Sequence, residues 1–132
     1  MTNEQEIERV LTRLAETFSQ LDFDAWIKNF HTPTLLVFPD QAYSLENEMA
    51  FRALMTPYFQ NLRDQGFTQT RMNESQIRIL TETTAIVSSN WTRYAGSTPM
   101  ESIGAAHMFQ KSANTWGVIM VTSYPPGALG FA

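Results

Sequence analysis

The chain has 132 residues, 43% of them hydrophobic and 17% charged, which is typical of one globular domain and argues against a chain that is disordered as a whole. Its formal net charge of -4 argues against nucleic acid or an anionic membrane as a partner, because their phosphates would be repelled. The absence of cysteine excludes disulfides and thiolate metal sites and points to the cytoplasm.

Two amphipathic helices are predicted for the first 30 residues. Residues 4–21 carry apolar side chains at steps of three and four, which places these side chains on one face of a helix. A shorter helix is predicted over residues 23–30, with Asp22 as its N-terminal cap and with Trp26 and Phe30 on its apolar face.

A short strand and a third helix are predicted next. Pro33 and Pro39 bracket residues 34–38, an apolar run that is too short for a helix and fits a buried strand. Helical spacing then returns and predicts a helix over residues 46–65. Pro57 falls within this helix, and we expect a kink there because proline lacks a backbone donor.

The remainder of the chain changes to the alternation that is typical of strands. Four strands are predicted, over residues 67–80, 84–95, 102–111 and 115–124. The turns between them are short, whereas a parallel pair would need a long crossover, so consecutive strands must be antiparallel. The sequence therefore predicts one α+β domain over residues 1–132, with three helices packed against an antiparallel sheet.

Two parts of this pattern resemble a known superfamily. Residues 24–30 (DAWIKNF) followed by residues 36–39 (LVFP) are similar to the second helix and first strand of the nuclear transport factor 2-like superfamily, which includes ketosteroid isomerase-like and polyketide cyclase-like proteins. Residues 109–111 (FQK) followed by residues 116–119 (WGVI) are similar to its final hairpin. The resemblance implies a curved sheet wrapped around the helices into a cone, a pocket at the wide end, and homodimers that pair through the outer face of the sheet.

The residues that perform the isomerase reaction do not carry over to this sequence. The resemblance places the proton-shuttling aspartate of the isomerases at Phe38, whose ring has no ionisable group. The second acid of the isomerases falls among Gly104, Ala105 and Ala106, which also lack one. Ketosteroid isomerase activity in its known form is therefore not expected, and likeness of fold alone does not assign another reaction.

His107 is the first candidate for a catalytic side chain. It interrupts a strand of small and apolar residues, where a buried imidazole needs a hydrogen-bond partner. Its alternation matches Ile103, Ala105 and Phe109, and the resemblance implies that this position points into the pocket. Two interpretations stay open: a general base or donor to a ligand oxygen, and a structural histidine bonded in the core or at a dimer interface.

The preceding strand has a polar face whose direction the sequence does not settle. Asn90 and Tyr94 alternate with Trp91 and Arg93, so each pair occupies one face of the sheet. Our hypothesis places Asn90 and Tyr94 on the concave face, where they would orient a ligand near His107. It places Trp91 and Arg93 on the outer surface, where they would suit a subunit contact. In the alternative, Asn90 and Tyr94 lie on the convex face as interface or solvated residues.

The remaining candidates would contact a ligand at the rim or wall of the pocket. His31, close to Pro33, could contact a ligand at the rim or cap the preceding helix. The two histidines lack the spacing of metal ligands, so no metal site is predicted. Core packing explains the apolar side chains, but some would also line a pocket, and the candidates for ligand contact are Trp26, Phe30, Met55, Tyr58 and Phe109.

These features lead to one hypothesis and one alternative. The hypothesis is a dimeric cytoplasmic protein that binds a small apolar or aromatic molecule without a cofactor. As an enzyme it would be an isomerase, dehydratase or cyclase acting next to a carbonyl, with His107 as base. The alternative is a non-enzymatic dimerisation or accessory module with a filled cavity. No membrane partner or export signal is expected, because the first residues are acidic and no apolar run is long enough to span a bilayer.

Overall fold

Three helices and six strands make up the fold in a computed structural model that describes residues 1–129. The helices are α1 (Asn3–Ser19), α2 (Phe23–Trp26) and α3 (Glu48–Asp64). The strands are β1 (Phe30–Val37), β2 (Ala42–Leu45), β3 (Gln69–Ile79), β4 (Thr84–Ala95), β5 (Thr98–Ser112) and β6 (Thr115–Tyr124).

The two long helices begin at side-chain caps and bury one apolar face. The Thr2 hydroxyl caps α1 by accepting a hydrogen bond from the Gln5 backbone N–H at 3.1 Å. The Asn47 side chain caps α3 by accepting from the Ala50 N–H at 2.9 Å. Helix α3 continues through Pro57. The buried residues of the two helices recur at helical spacing, and they are Ile7, Val10, Leu11, Leu14, Phe51, Met55, Phe59 and Leu62.

The second helix is shorter than the sequence predicts. Helix α2 ends at Trp26, and a single 3-10 turn over Ile27–Asn29 leads into β1. Phe30 is already extended, with φ −113° and ψ 148°, and it pairs with Val118 of β6. The spacing of apolar residues does not distinguish a helix from a helical turn that ends in a strand. Pairing with a distant strand therefore decides where the helix ends.

The first strand is longer than predicted, and a second short strand that was not predicted follows it. Strand β1 spans eight residues, and the four-residue strand β2 folds back on it as an antiparallel hairpin. The hairpin turn is closed by a hydrogen bond from the Phe38 N–H to the Gln41 carbonyl at 2.7 Å. Four residues are too few to establish the alternation on which a strand prediction depends.

All six strands join one curved, unclosed sheet in the order β2-β1-β6-β5-β4-β3. The last four strands pair antiparallel with their neighbours, as predicted. Strands β1 and β6 pair in parallel, with Leu36 opposite Val121. The predicted α+β class is confirmed, and its antiparallel sheet contains this one parallel pair.

Aromatic rings fill the space between the helices and the concave face of the sheet. The ring centres of Trp26 and Phe30 are 4.6 Å apart, those of Phe30 and Phe51 are 5.0 Å apart, and those of Phe18 and Phe59 are 5.3 Å apart. All three pairs meet at steep angles, the arrangement that ring quadrupoles favour. Three rings of this cluster, those of Phe18, Trp26 and Phe30, also line a cavity under the sheet.

Candidate ligand-binding site

A cavity of about 380 Å³ lies between the helices and the concave face of the sheet. This volume falls within the range of small-molecule pockets. Its wall is predominantly apolar, because the helices and β1 contribute Leu14, Phe18, Trp26, Phe30, Leu36 and Met55. The sheet side adds a few polar groups to this wall.

The charged and titratable side chains of the sheet wall come from one face of β4 and β5, while Thr70, Ser123 and Tyr58 add further polar groups from β3, β6 and α3. Strand β4 contributes Trp91 and Arg93, and β5 contributes Ile103, Ala105 and His107. Trp91 lies directly opposite Ile103, and residues that face each other across an antiparallel pair share one face of the sheet. His107, Ile103 and Ala105 were predicted to share one face of β5, and all three line the cavity.

His107 is a buried imidazole with an unused polar atom. The residue is 7% exposed, and its Nδ1 is buried without a hydrogen-bond partner among residues 1–129. The rings of Trp91 and Phe109 lie 6.3 Å away on either side, centre to centre. Burial among such groups disfavours the charged form and lowers the pKa of His107 to about 4. The imidazole is consequently neutral near pH 7, with one nitrogen able to donate and the other to accept.

Arg93 brings a positive charge to the cavity, and its predicted place on the outer face is wrong. Its Nη1 donates to the Glu101 carboxylate at 2.8 Å and to the Tyr58 hydroxyl. The guanidinium carbon lies 5.2 Å from the centre of the Phe18 ring and 5.4 Å from that of Tyr58. These contacts hold the guanidinium in a defined orientation against aromatic surfaces.

The placement of Asn90 and Tyr94 on the concave face is wrong. Neither residue lines the cavity, whereas Trp91 and Arg93, which we placed outside, both do. Asn90 is buried on the convex face, opposite Gly104. Polar residues alone do not mark a ligand-binding face, because on the convex face Thr92 bonds to Asn73 and to Ser102 and needs no ligand.

A β-bulge explains why the turn between β4 and β5 does not reveal the correct face. Tyr94 lies opposite Pro99, whereas Arg93, the residue before Tyr94 in β4, lies opposite Glu101. Strand β5 therefore contains one extra residue between these two pairs. A shift of one residue moves every following side chain to the other face. His107 therefore shares a face with the odd-numbered residues of β4. A register counted from the turn without the bulge would put it with the even-numbered ones.

The other predicted contacts divide between the cavity, the core and a different surface. Trp26, Phe30, Met55 and Tyr58 line the cavity. Phe109 is 0% exposed and belongs to the hydrophobic core, so its predicted place in the ligand wall is wrong.

The second histidine lies outside the cavity. His31 is half-buried on β1, where its Nε2 is 2.8 Å from the Thr115 carbonyl and its ring packs against Gly117. It lines a separate depression beside β1 together with Pro33 and Ser44. The two histidines are therefore not brought together.

Comparison with known proteins identifies the family. A family model described as NTF2-like protein (DUF6841) matches residues 4–126. The chain belongs to this family. The resemblance to the nuclear transport factor 2-like superfamily is thereby confirmed. The chain matches no curated protein.

Solved structures of NTF2-like proteins share the fold at low sequence identity. An NTF2-like protein of unknown function from Shewanella oneidensis is 15% identical with a TM-score of 0.76, over 92% of this chain and 98% of that one. The association domain of CaMKII from C. elegans is 17% identical with a TM-score of 0.72, over 91% and 93% of the two chains. A Streptomyces avermitilis protein of the NTF2-like family, described as a proposed dehydratase, is 15% identical with a TM-score of 0.66, over 92% and 94%. Identities this low establish the fold alone.

A cluster of metal ligands and a membrane-spanning helix are both absent from the described part of this NTF2-like chain. Within residues 1–129, no group of three or more His, Asp or Glu side chains is placed to hold a metal ion. Over the same residues, no helix has both the length and the apolar character that crossing a bilayer requires. The functional proposal rests on the cavity that His107 and Arg93 line.

Proposed function

We propose that this NTF2-like protein binds a small, partly apolar molecule in the cavity and that His107 is its central polar contact. The observation that carries the proposal is the buried Nδ1 of His107, which has no partner among residues 1–129. A buried polar atom without a hydrogen bond costs about 1–3 kcal/mol of stability. A ligand hydroxyl or carbonyl at this atom would remove the cost.

The walls of the cavity support the same proposal. Trp91 directs its Nε1–H to the Ser89 hydroxyl at 2.7 Å, so its own polar atom is satisfied and its ring offers an apolar surface. Aromatic and aliphatic walls with a few placed polar groups are typical of pockets for small organic molecules. No bound cofactor is needed for this role.

Catalysis by His107 is a further part of the proposal. A neutral imidazole could remove a proton next to a carbonyl, as an isomerase, dehydratase or cyclase would require. The pKa of about 4 makes it a weak base in the empty cavity. An anionic group of the substrate close to the ring would raise this pKa and strengthen the base. The proposed dehydratase of Streptomyces avermitilis is a relative of the same fold with such a description.

A homodimer formed through the outer sheet face is the second candidate function. The convex face of β4 and β5 presents uncharged polar side chains such as Ser88, Thr92 and Ser102, and charge is depleted in the core of protein interfaces. The likeness to association domains supports assembly as well. Sedimentation at increasing concentration tests this candidate, since a dimer doubles the mass. Cytoplasmic location is proposed from the absence of cysteine.

A thermal-shift screen with two matched histidine variants tests ligand binding. Ketones, alcohols and carboxylic acids with apolar bodies are screened against the wild type, His107→Leu and His31→Leu. A ligand at a hundred times its dissociation constant is expected to stabilise the wild type by about 2.7 kcal/mol. His107→Leu should lose this gain, and His31→Leu should keep it because His31 lies outside the cavity. A ligand that stabilises all three proteins equally, or no ligand at all, would contradict the proposal.

A further inference from the structure

Arg93 is a largely buried cation whose hydrogen-bonding capacity is only partly used. Its side chain is 13% exposed, whereas that of its partner Glu101 is 51% exposed. Both hydrogen bonds of the guanidinium to residues 1–129 leave from Nη1. The edge formed by Nε and Nη2 therefore has no acceptor in the described part of the chain. This edge is the one that pairs side by side with the two oxygens of a carboxylate.

Tyr58 adds a second donor next to this edge. Its hydroxyl oxygen accepts the hydrogen bond from Arg93, so its own proton is free to be donated. Both residues line the cavity. An anion at the guanidinium could therefore receive a charge-assisted pair of bonds from Arg93 and one more from Tyr58.

The distance between Arg93 and His107 limits the shape of such an anion. Glu101, opposite Arg93, is six residues from His107 along β5, which is roughly 20 Å at the usual rise of a strand. Trp91 and Ile103 line the cavity between the two polar groups. A molecule that reaches from one end toward the other needs an extended apolar body.

From this arrangement, and resting on the function proposed above, we propose that the cavity takes an amphipathic carboxylate. Its acid group pairs with Arg93 and Tyr58, its apolar body lies along Trp91, and a hydroxyl or carbonyl at the far end meets His107. Long alkanoic acids that carry a hydroxyl or oxo group near the far end of the chain have this chemistry. Glu101 opposes the ligand through its charge, since its carboxylate already bonds to Nη1 of Arg93 and would repel a second carboxylate at the Nε and Nη2 edge.

Matched acids and primary amides test the carboxylate site. Each acid and its amide share one apolar body, and calorimetry measures their affinities for the wild type, Arg93→Met and Arg78→Met. We expect the wild type to bind the acid at least tenfold more tightly than the amide and Arg93→Met to lose this preference. Arg78→Met removes the same charge from an exposed strand position and should keep the preference.

Glu101→Gln gives an independent test should Arg93→Met fail to fold. Removing the repelling carboxylate is expected to strengthen acid binding several-fold and to leave amide binding unchanged. Acid binding that is weaker than or equal to that of the wild type would overturn the proposal. This variant keeps Arg93, its buried stem and the Tyr58 contact, so loss of folding is not expected.

The outcomes separate this proposal from the one on which it rests. If amides bind as tightly as acids and His107→Leu weakens both, the carboxylate site is wrong while ligand binding in the cavity stands. If acids, amides and ketones all fail to bind the folded wild type, the proposed function is itself wrong. An acid preference that disappears in Arg93→Met and persists in Arg78→Met supports both.

Discussion

Thr92 on the convex face and His107 on the concave face of β4 and β5 differ in whether their polar atoms have hydrogen-bond partners. On the convex face Thr92 bonds to Asn73 at 2.7 Å and to Ser102 at 3.1 Å, so these groups satisfy each other. On the concave face His107 lines the cavity, and its buried Nδ1 has no partner in the described chain. The face with more polar residues is therefore not the better candidate for a ligand-binding surface. Buried polar atoms that adjoin a cavity and lack a partner are the more informative signal.

The largest expected effect separates a fully buried ring of the core from a partly exposed ring of the cavity wall. Phe109→Ala removes a ring that is 0% exposed, and we expect a loss of about 3–5 kcal/mol in the free energy of unfolding. Phe38→Ala is the matched control, because Phe38 lines the cavity and is 37% exposed. In urea denaturation, Phe38→Ala should lose less than half as much free energy of unfolding as Phe109→Ala. Equal losses would mean that Phe109 is not part of a closed core.

The next effect is a pH dependence that originates at His107. The pKa of its imidazole is about 4 in the folded protein and about 6.5 in the unfolded chain. The unfolded state binds more protons between these values, so stability is complete above about pH 6.5 and falls as the pH decreases toward 4. At 1.36 kcal/mol per pKa unit, the loss reaches about 3 kcal/mol.

His107→Leu isolates this effect from the carboxylates, which titrate in both proteins. Urea unfolding of wild type and variant at several values from about pH 7 down to pH 4 measures the difference in stability. Near pH 7 the free energy of unfolding of the variant should be at least as large as that of the wild type, because an unsatisfied polar atom has been removed. As the pH decreases toward 4, the variant should become steadily more stable relative to the wild type. A difference that stays constant with pH would show that the imidazole is not buried as described.

The smallest effect tests the convex face. A Cβ at Gly104 would lie 2.3 Å from Cε1 of the Tyr124 ring, so Gly104→Ala should cost about 1–3 kcal/mol. The cost should decrease in a Tyr124→Ser background, where the ring is absent, and a double-mutant cycle by urea denaturation measures the coupling. Ligand affinity is expected to stay unchanged because Gly104 lies outside the cavity. Additive losses would place the Tyr124 ring elsewhere.

The sequence predicts those parts of the fold that have long local patterns. Helices α1 and α3 and the last four strands follow from spacing and short turns alone. Strand β2 has only four residues, and the early end of α2 depends on the pairing of Phe30 with Val118, far along the chain. Neither leaves a local signal.

The candidate site is predicted in part for a related reason. His107 is visible in the sequence because an ionisable residue interrupts an apolar strand. Arg93 is assigned to the wrong face because alternation gives two faces without saying which is concave, and the bulge next to Tyr94 changes their relation to β5. The extra residue of a bulge carries no compositional mark, so coordinates are needed to find it.

The parallel contact between β1 and β6 has a consequence for the order in which the protein folds. The β1–β2 hairpin is attached to the other strands through β6 alone, while β3, β4 and β5 form a meander of sequence neighbours. Contacts between distant segments form more slowly than local ones, because a long loop must close first. During synthesis the hairpin can consequently join the sheet only after β6 has left the ribosome. Until then, one edge of β1 is available for incorrect pairing with other chains.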